Sequence, residues 1–131
     1  MVKIGIIGTR KRDGAKDYTA VLEALTNVIT ELKCPLKEIT IVSGGCPKGG
    51  DRFAETIAAD LKIKTIIHYP DKLKLEVNTK WAYSKICYER NTLIAQDLDI
   101  LIACVSPDRK GGTEDTINKY LKMGKDMLII V

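Results

Sequence analysis

Ser43-Gly44-Gly45-Cys46-Pro47-Lys48-Gly49-Gly50-Asp51-Arg52 is the stretch on which the reading of this chain turns. The apolar run Ile39-Thr40-Ile41-Val42 leads into it. Phe53-Ala54-Glu55-Thr56-Ile57-Ala58, with helical spacing, leads out of it. A strand that breaks into a glycine-rich turn and then opens a helix builds an anion cradle. Glycine lets the backbone come close to a ligand, and the first N–H groups of the helix point at it. The segment predicts a phosphate-bearing ligand.

The same alternation continues in both directions. Val2 to Gly8 is an apolar run bounded by glycine, suited to a strand buried on both faces. Tyr18, Val21, Leu22, Leu25, Val28, Ile29 and Leu32 recur at helical spacing until Pro35 stops the helix. Ile39 to Val42 is the second strand, Arg52 to Leu61 the second helix and Ile63 to His68 the third strand. From Tyr69 to about Ala82 the periodicity fails, which predicts a long, partly irregular loop. A third helix is expected from about Tyr83 to Gln96, a fourth strand from Asp99 to Val105, and a fourth helix from Glu114 to Met123 with Gly124 at its end. Met127 to Val131 reads as a fifth strand.

This order predicts an α/β fold, Rossmann-like and doubly wound, with a mainly parallel five-stranded sheet flanked by about four helices, in one domain over 1–131. Ligands on such sheets bind beyond the carboxyl ends of the strands, where the strand order reverses. The loops leaving those ends are Gly8 to Asp17, Ser43 to Asp51, Tyr69 to Ala82 and Ser106 to Thr113, and three of them combine glycine with basic residues.

Composition sets the outer limits. The 131 residues are 45% hydrophobic and 29% charged, ordinary for a globular protein, and the 5% aromatic share makes the core aliphatic. A net charge of +4 suits an anionic ligand without demanding nucleic acid. Lys72, Lys74, Lys80 and Lys85 cluster before and into the third helix, equally readable as a solvated face or as ligand-facing. Cys34, Cys46, Cys87 and Cys104 form no C-x-x-C pair and have no histidines near to complete a zinc site, so no metal and no cofactor is expected. Cys87 and Cys104 read as small core residues. Cys46, in the glycine loop, lacks a partner base for nucleophilic work. The opening residues read as a strand rather than a leader, and no apolar run is long enough to span a membrane, so a cytoplasmic protein with reduced thiols is expected.

Two familiar nucleotide motifs are absent. Gly50 is followed by Asp51 and Arg52, not by the Lys-Ser/Thr of an ATPase P-loop. Gly5-Ile6-Ile7-Gly8 lacks the remaining dinucleotide glycine spacing, and the second strand ends in Ser43 rather than in an acid that could hold a ribose. Both departures argue against NAD-dependent hydride transfer.

The remaining pattern resembles the SLOG superfamily, which includes DNA-processing proteins of the DprA type, the LOG phosphoribohydrolases and small stand-alone bacterial and phage proteins. Gly8-Thr9-Arg10 resembles the Gly-Ser-Arg after the first strand of the small-protein branch. Ser43-Gly44-Gly45 through Gly49-Gly50-Asp51-Arg52 resembles its second-strand loop with one extra residue. Glu89-Arg90-Asn91 and Lys110-Gly111-Gly112-Thr113 resemble the Arg-Asn of its third helix and the Gly-Gly-Thr turn before its fourth. The resemblance implies a Rossmann-like nucleotide pocket, and it covers nearly the whole chain.

The candidate ligand residues are therefore Gly8, Thr9, Arg10, Ser43, Gly44, Gly45, Lys48, Gly49, Asp51, Arg52, Trp81, Arg90, Asn91, Gly111, Gly112 and Thr113. Each has a plainer role beside it. Asp51 and Thr113 suit helix caps, worth about 1 kcal/mol. Arg52 suits pairing with a helix or another chain, and Trp81 suits packing of the irregular loop as well as stacking on a base. Glu114 and Asp115 suit the positive end of a helix dipole, and the lone His68 suits a structural role. Arg90, inside a helix, must find anionic partners or reach solvent.

The LOG enzymes carry a glutamate three residues after their Gly-Thr, and that position here is Thr116. Cleaving a glycosidic bond needs a carboxylate to steady the sugar cation or activate water. In an enzyme reading, Arg90 with Glu114 or Asp115 would have to supply the chemistry. The departure favours non-catalytic sensing or sequestration of a nucleotide or nucleotide-derived signal, such as an ADP-ribose derivative or a cyclic nucleotide. The alternative is LOG-like hydrolysis of a nucleoside monophosphate. The modest charge and few aromatics argue against the third reading, single-stranded DNA binding. A homo-oligomer, dimer or tetramer, is expected from the open sheet edges and the superfamily resemblance, with no membrane partner.

Overall fold

The computed structural model describes residues 1–71 and 80–131. Strands β1 (Val2–Gly8), β2 (Ile39–Ser43), β3 (Lys64–Ile67), β4 (Ile100–Cys104) and β5 (Leu128–Ile130) alternate with helices α1 (Ala15–Leu32), α2 (Gly50–Leu61), α3 (Lys80–Asp97) and α4 (Gly112–Lys122), with a 3-10 turn at Leu36–Glu38. The five strands form one sheet in the order β3-β2-β1-β4-β5. Every pairing is parallel: Val2 opposes Ile39, Ile4 opposes Ile100, Thr40 opposes Lys64 and Leu101 opposes Leu128. The fold is the Rossmann-like α/β fold that the alternation predicts.

The core has two layers because successive strand residues face opposite ways. Ile4, Ile6, Ile100, Ile102 and Cys104 pack under α1 and α2 with Val21, Leu25, Phe53 and Ile57. Ile7, Leu101 and Ala103 pack under α3 and α4 with Ile94, Leu98, Ile117 and Tyr120. The chain winds from β1 to β2 to β3 in one direction and then adds β4 and β5 on the other side of β1. With one hand of crossover throughout, that reversal puts the two helix pairs on opposite faces. It also opens a fork where β1 and β4 end.

Some boundaries differ from the sequence reading. The expected irregular loop lies partly outside the described residues, with Lys72 and Lys74 in that part, and its last positions, Lys80 to Ala82, are already the first turn of α3. Trp81 is thus helical and 74% exposed. Gly49 and Gly111, not Asp51 and Thr113, occupy the N-cap positions of α2 and α4. Both glycines have positive φ, 74° and 105°, a backbone conformation that a capping Asp or Thr would hold only under strain. Among the described residues no helix is long and apolar enough to cross a membrane.

Candidate functional site

A cavity of about 490 Å³ occupies the fork. Ile7 and Gly8 at the end of β1 line it, as do Thr9, Arg10 and Lys11 from the following loop, one side of α3, and the turn from Lys110 into α4. The first-turn amides of α4, at Gly112, Thr113 and Glu114, precede the first intrahelical bond, which runs from the Asp115 amide to the Gly111 carbonyl. Gly112 and Thr113 stand at the cavity wall with the positive end of the helix dipole. Arg10, Lys11 and Lys110 add three exposed cations.

The candidate ligand residues divide into two groups. Gly8, Thr9, Arg10, Asp51, Arg90, Asn91, Gly111, Gly112 and Thr113 all line the cavity. Ser43, Gly44, Gly45, Lys48, Gly49, Arg52 and Trp81 do not. Ser43 is fully buried and donates its hydroxyl to the Ile6 carbonyl (2.6 Å) and the Asp51 carboxylate (3.0 Å), so it ties β2 to β1 beneath the cavity. The Gly49 amide donates to Asp13 Oδ1 (2.7 Å), as does Arg52 Nε (2.8 Å). Arg52 also lies over the Phe53 ring. These two residues lock the loop before α1 to the loop before α2, away from the cavity. Gly45 backs onto Tyr69, and Lys48 is exposed.

Gly44 has a steric task. A Cβ there would stand 2.7 Å from Arg90 Nη1 and 2.9 Å from Asp51 Oδ2. Those two residues are the charged floor of the cavity. Arg90 donates to the Gly44 carbonyl and to Asn91 Oδ1 (3.0 Å), and reaches the His68 carbonyl at 3.4 Å. It thus joins α3 to the ends of β2 and β3. Asn91 is also almost fully buried. Its amide nitrogen donates to the Gly112 carbonyl (3.1 Å) and Asp115 Oδ2 (3.2 Å), pinning α3 to the start of α4.

Asp51 is buried, and burial pushes its carboxyl above the usual carboxylate range. The Cys46 amide (3.1 Å), the Arg90 charge and the Ser43 hydroxyl pull it part of the way back. Asp13 moves the other way, held below the usual range by the Gly49 amide and then by Arg52. Asp13 contributes stability that is present above its unfolded value and is lost as pH falls through its depressed folded value. Asp13→Asn is expected to flatten the acid limb of a Tm-against-pH curve, as read by circular dichroism. An unchanged acid limb would remove the clamp from the account of stability.

The two acids that an enzyme reading relied on are elsewhere. Glu114 pairs with Arg109, and Asp115 pairs with Lys119 (2.9 Å) besides Asn91. Neither lines the cavity. The cavity's carboxylates are Asp51 and Asp108, and Asp108 is held below its usual range by the Ser106 hydroxyl. His68 bonds Asp97 (2.8 Å), outside the cavity.

Several lining residues escaped the sequence reading. Tyr83, Cys87 and Tyr88 join Arg90, Asn91 and Ile94 on the cavity side of α3. The recurrence of positions 83, 87, 90 and 94 marks one side of a helix and was available in the sequence. Cys87, expected in the core, lines the cavity, while Cys104 is fully buried as expected.

The chain matches no protein-family model, no curated protein and no solved structure. Among the described residues no group of three or more His, Cys, Asp or Glu side chains is placed to hold a metal ion. What the arrangement offers is a set of anion donors at the α4 turn and the Arg10 loop, facing the rings of Tyr83 and Tyr88 on α3.

Proposed function

We propose that this cavity binds a nucleotide or a nucleotide-derived signal and holds it without turnover, for sensing or sequestration, in a small cytoplasmic protein of SLOG type. The observation that carries the reading is the cavity's two-sided lining at the β1/β4 fork. The α4 amides, Lys110 and Arg10 suit phosphate, while Tyr83 and Tyr88 offer faces for a base. Its volume lies within the range of small-molecule sites. The absence of turnover is argued from Glu114 and Asp115, whose carboxylates are engaged away from the cavity. Self-association into a dimer or tetramer belongs to the same proposal, with β3 and β5 as the open sheet edges.

Titration calorimetry against nucleoside monophosphates, ADP-ribose and cyclic nucleotides tests it. At least one is expected to bind in the submillimolar range, with affinity falling as salt rises. Lys110→Glu is expected to weaken that binding by about tenfold or more, because it replaces a cation with an anion beside the helix start. A folded sample that binds none of them removes the reading. A second reading, hydrolysis at the glycosidic bond, is favoured only by the carboxyl of Asp51 beside Arg90. Chromatography of the same mixtures decides it, since free base accumulating with time would show turnover.

A further inference from the structure

Helix α3 packs on one side only. Ile86, Asn91, Ile94, Ala95 and Leu98 are buried beneath it, and Tyr83, Cys87 and Arg90 turn to the cavity. The opposite side carries Trp81, Lys85, Glu89 and Leu93, four exposed residues at steps of four. Such a row stands up as one ridge on a helix surface. Trp81 is 74% exposed at one end of the ridge, and Leu93 is 49% exposed at the other. Lys85 Nζ lies 5.6 Å from the centre of the Trp81 ring, so cation and indole form one block. Tryptophan is among the residue types that most often anchor a protein interface, and this one is the only tryptophan of the chain.

The ridge is complementary to itself. Along the helix it reads apolar, cation, anion, apolar. A second copy laid antiparallel across it, with a two-fold axis level with residue 87, sets each Lys85 against the partner's Glu89 and each Trp81 against the partner's Leu93. A parallel arrangement would set lysine beside lysine and glutamate beside glutamate. The sheet edges offer a second copy less. β5 has three residues and β3 four, and β3 starts on the exposed Lys64, features that blunt edge pairing.

We propose that this chain forms a two-fold dimer through the outer side of α3, packed antiparallel on its own copy. The proposal names the surface for the self-association stated above and rests on it, but it does not depend on the nucleotide. Lys85 and Glu89 lie outside the cavity lining, so changing them leaves the cavity intact.

Sedimentation equilibrium of the full chain tests it, with Lys85→Glu, Glu89→Lys, the double variant and an equal mixture of the two single variants. The unaltered chain is expected to be a dimer. Each single variant is expected to dimerise about tenfold or more weakly, because like charges then face each other twice across the axis. The mixture is expected to restore a dimer, since it sets two acids on one helix against two lysines on the other. The double variant, which exchanges the charges within one chain, is expected to restore it too. Trp81 emission should be bluer wherever the dimer forms and redder in the single variants alone. Recovery on mixing also shows that both single variants are folded, and it cannot come from pairing of Lys85 with Glu89 inside one helix. A dimer of the unaltered chain that both single variants keep overturns the α3 surface and leaves self-association standing. Single variants that dissociate and do not recover on mixing overturn the antiparallel pairing. A monomer in the unaltered chain removes the surface and the self-association together, and nucleotide calorimetry is untouched by any of these results.

Discussion

Gly50→Ala is expected to cost about 3 kcal/mol and to lower Tm by about 10 °C, or to prevent folding outright. Gly50 opens α2 and is buried against the end of β1. A Cβ there would be driven into the Gly8 nitrogen and the carbonyl of Ile7. Those atoms are backbone, in a strand held on both sides by β2 and β4, and no rotamer change relieves the overlap. Gly8 has the reciprocal constraint, since its Cβ would stand 3.0 Å from the Gly50 Cα. Gly112→Ala is the control. It also sits in the first turn of a helix, but its Cβ would meet nothing nearer than the Asn91 amide nitrogen at 3.7 Å, and it is expected to change Tm by only a degree or two at most (~0.5 kcal/mol). Equal Tm values for the two variants in thermal denaturation would refute the packing account.

The second large effect concerns Arg90 and Asp51. Arg90→Met is expected to cost about 2–3 kcal/mol, because it strips the Gly44 carbonyl of its donor and leaves a buried carboxylate without its cation. Adding Asp51→Asn should restore a good part of that loss, since the amide needs no counter-charge and can still accept from Ser43 or the Cys46 amide. Chemical denaturation of the four proteins of the cycle measures the coupling. Additive losses would show that the two residues act independently.

The pH behaviour has its own sign. Asp51 has a folded value raised above its unfolded one, so the folded state binds the extra proton. Its contribution to stability therefore falls as pH rises through the interval from the unfolded value to the raised one. Asp51→Asn removes that decline, the reverse of what Asp13→Asn does on the acid limb.

The strand and helix order was legible because each strand of this sheet is a short apolar run between turn residues, and α1 carries a clear apolar stripe. The start of α3 was not legible. Trp81, Tyr83, Tyr88 and Leu93 are all exposed, while Ile86, Ile94 and Ala95 are buried, so apolar residues surround the helix and blur its period. The glycine loop was read correctly as a place of close approach but not for what approaches. Gly44 admits Arg90 and Asp51, Gly45 admits Tyr69, and Gly50 admits β1. A missing side chain looks the same in a sequence whether a ligand or another part of the chain fills the space. The charge pairs were beyond sequence reasoning as well. Arg52 with Asp13 follows from which loops the sheet brings side by side, and Arg109 with Glu114 from the shape of the turn into α4.

β1 takes its inner partners from very different distances along the chain: Val2 pairs with Ile39, but Ile4 pairs with Ile100. A ribosome-bound chain that has made only its first half can zip β1 to β2 and still presents the other side of β1 as an unclaimed ladder. The cavity at the fork does not exist at that stage, for most of its wall has yet to be synthesised. Until β4 is made, that side of β1 is a bare strand edge, the kind of surface on which chains mispair.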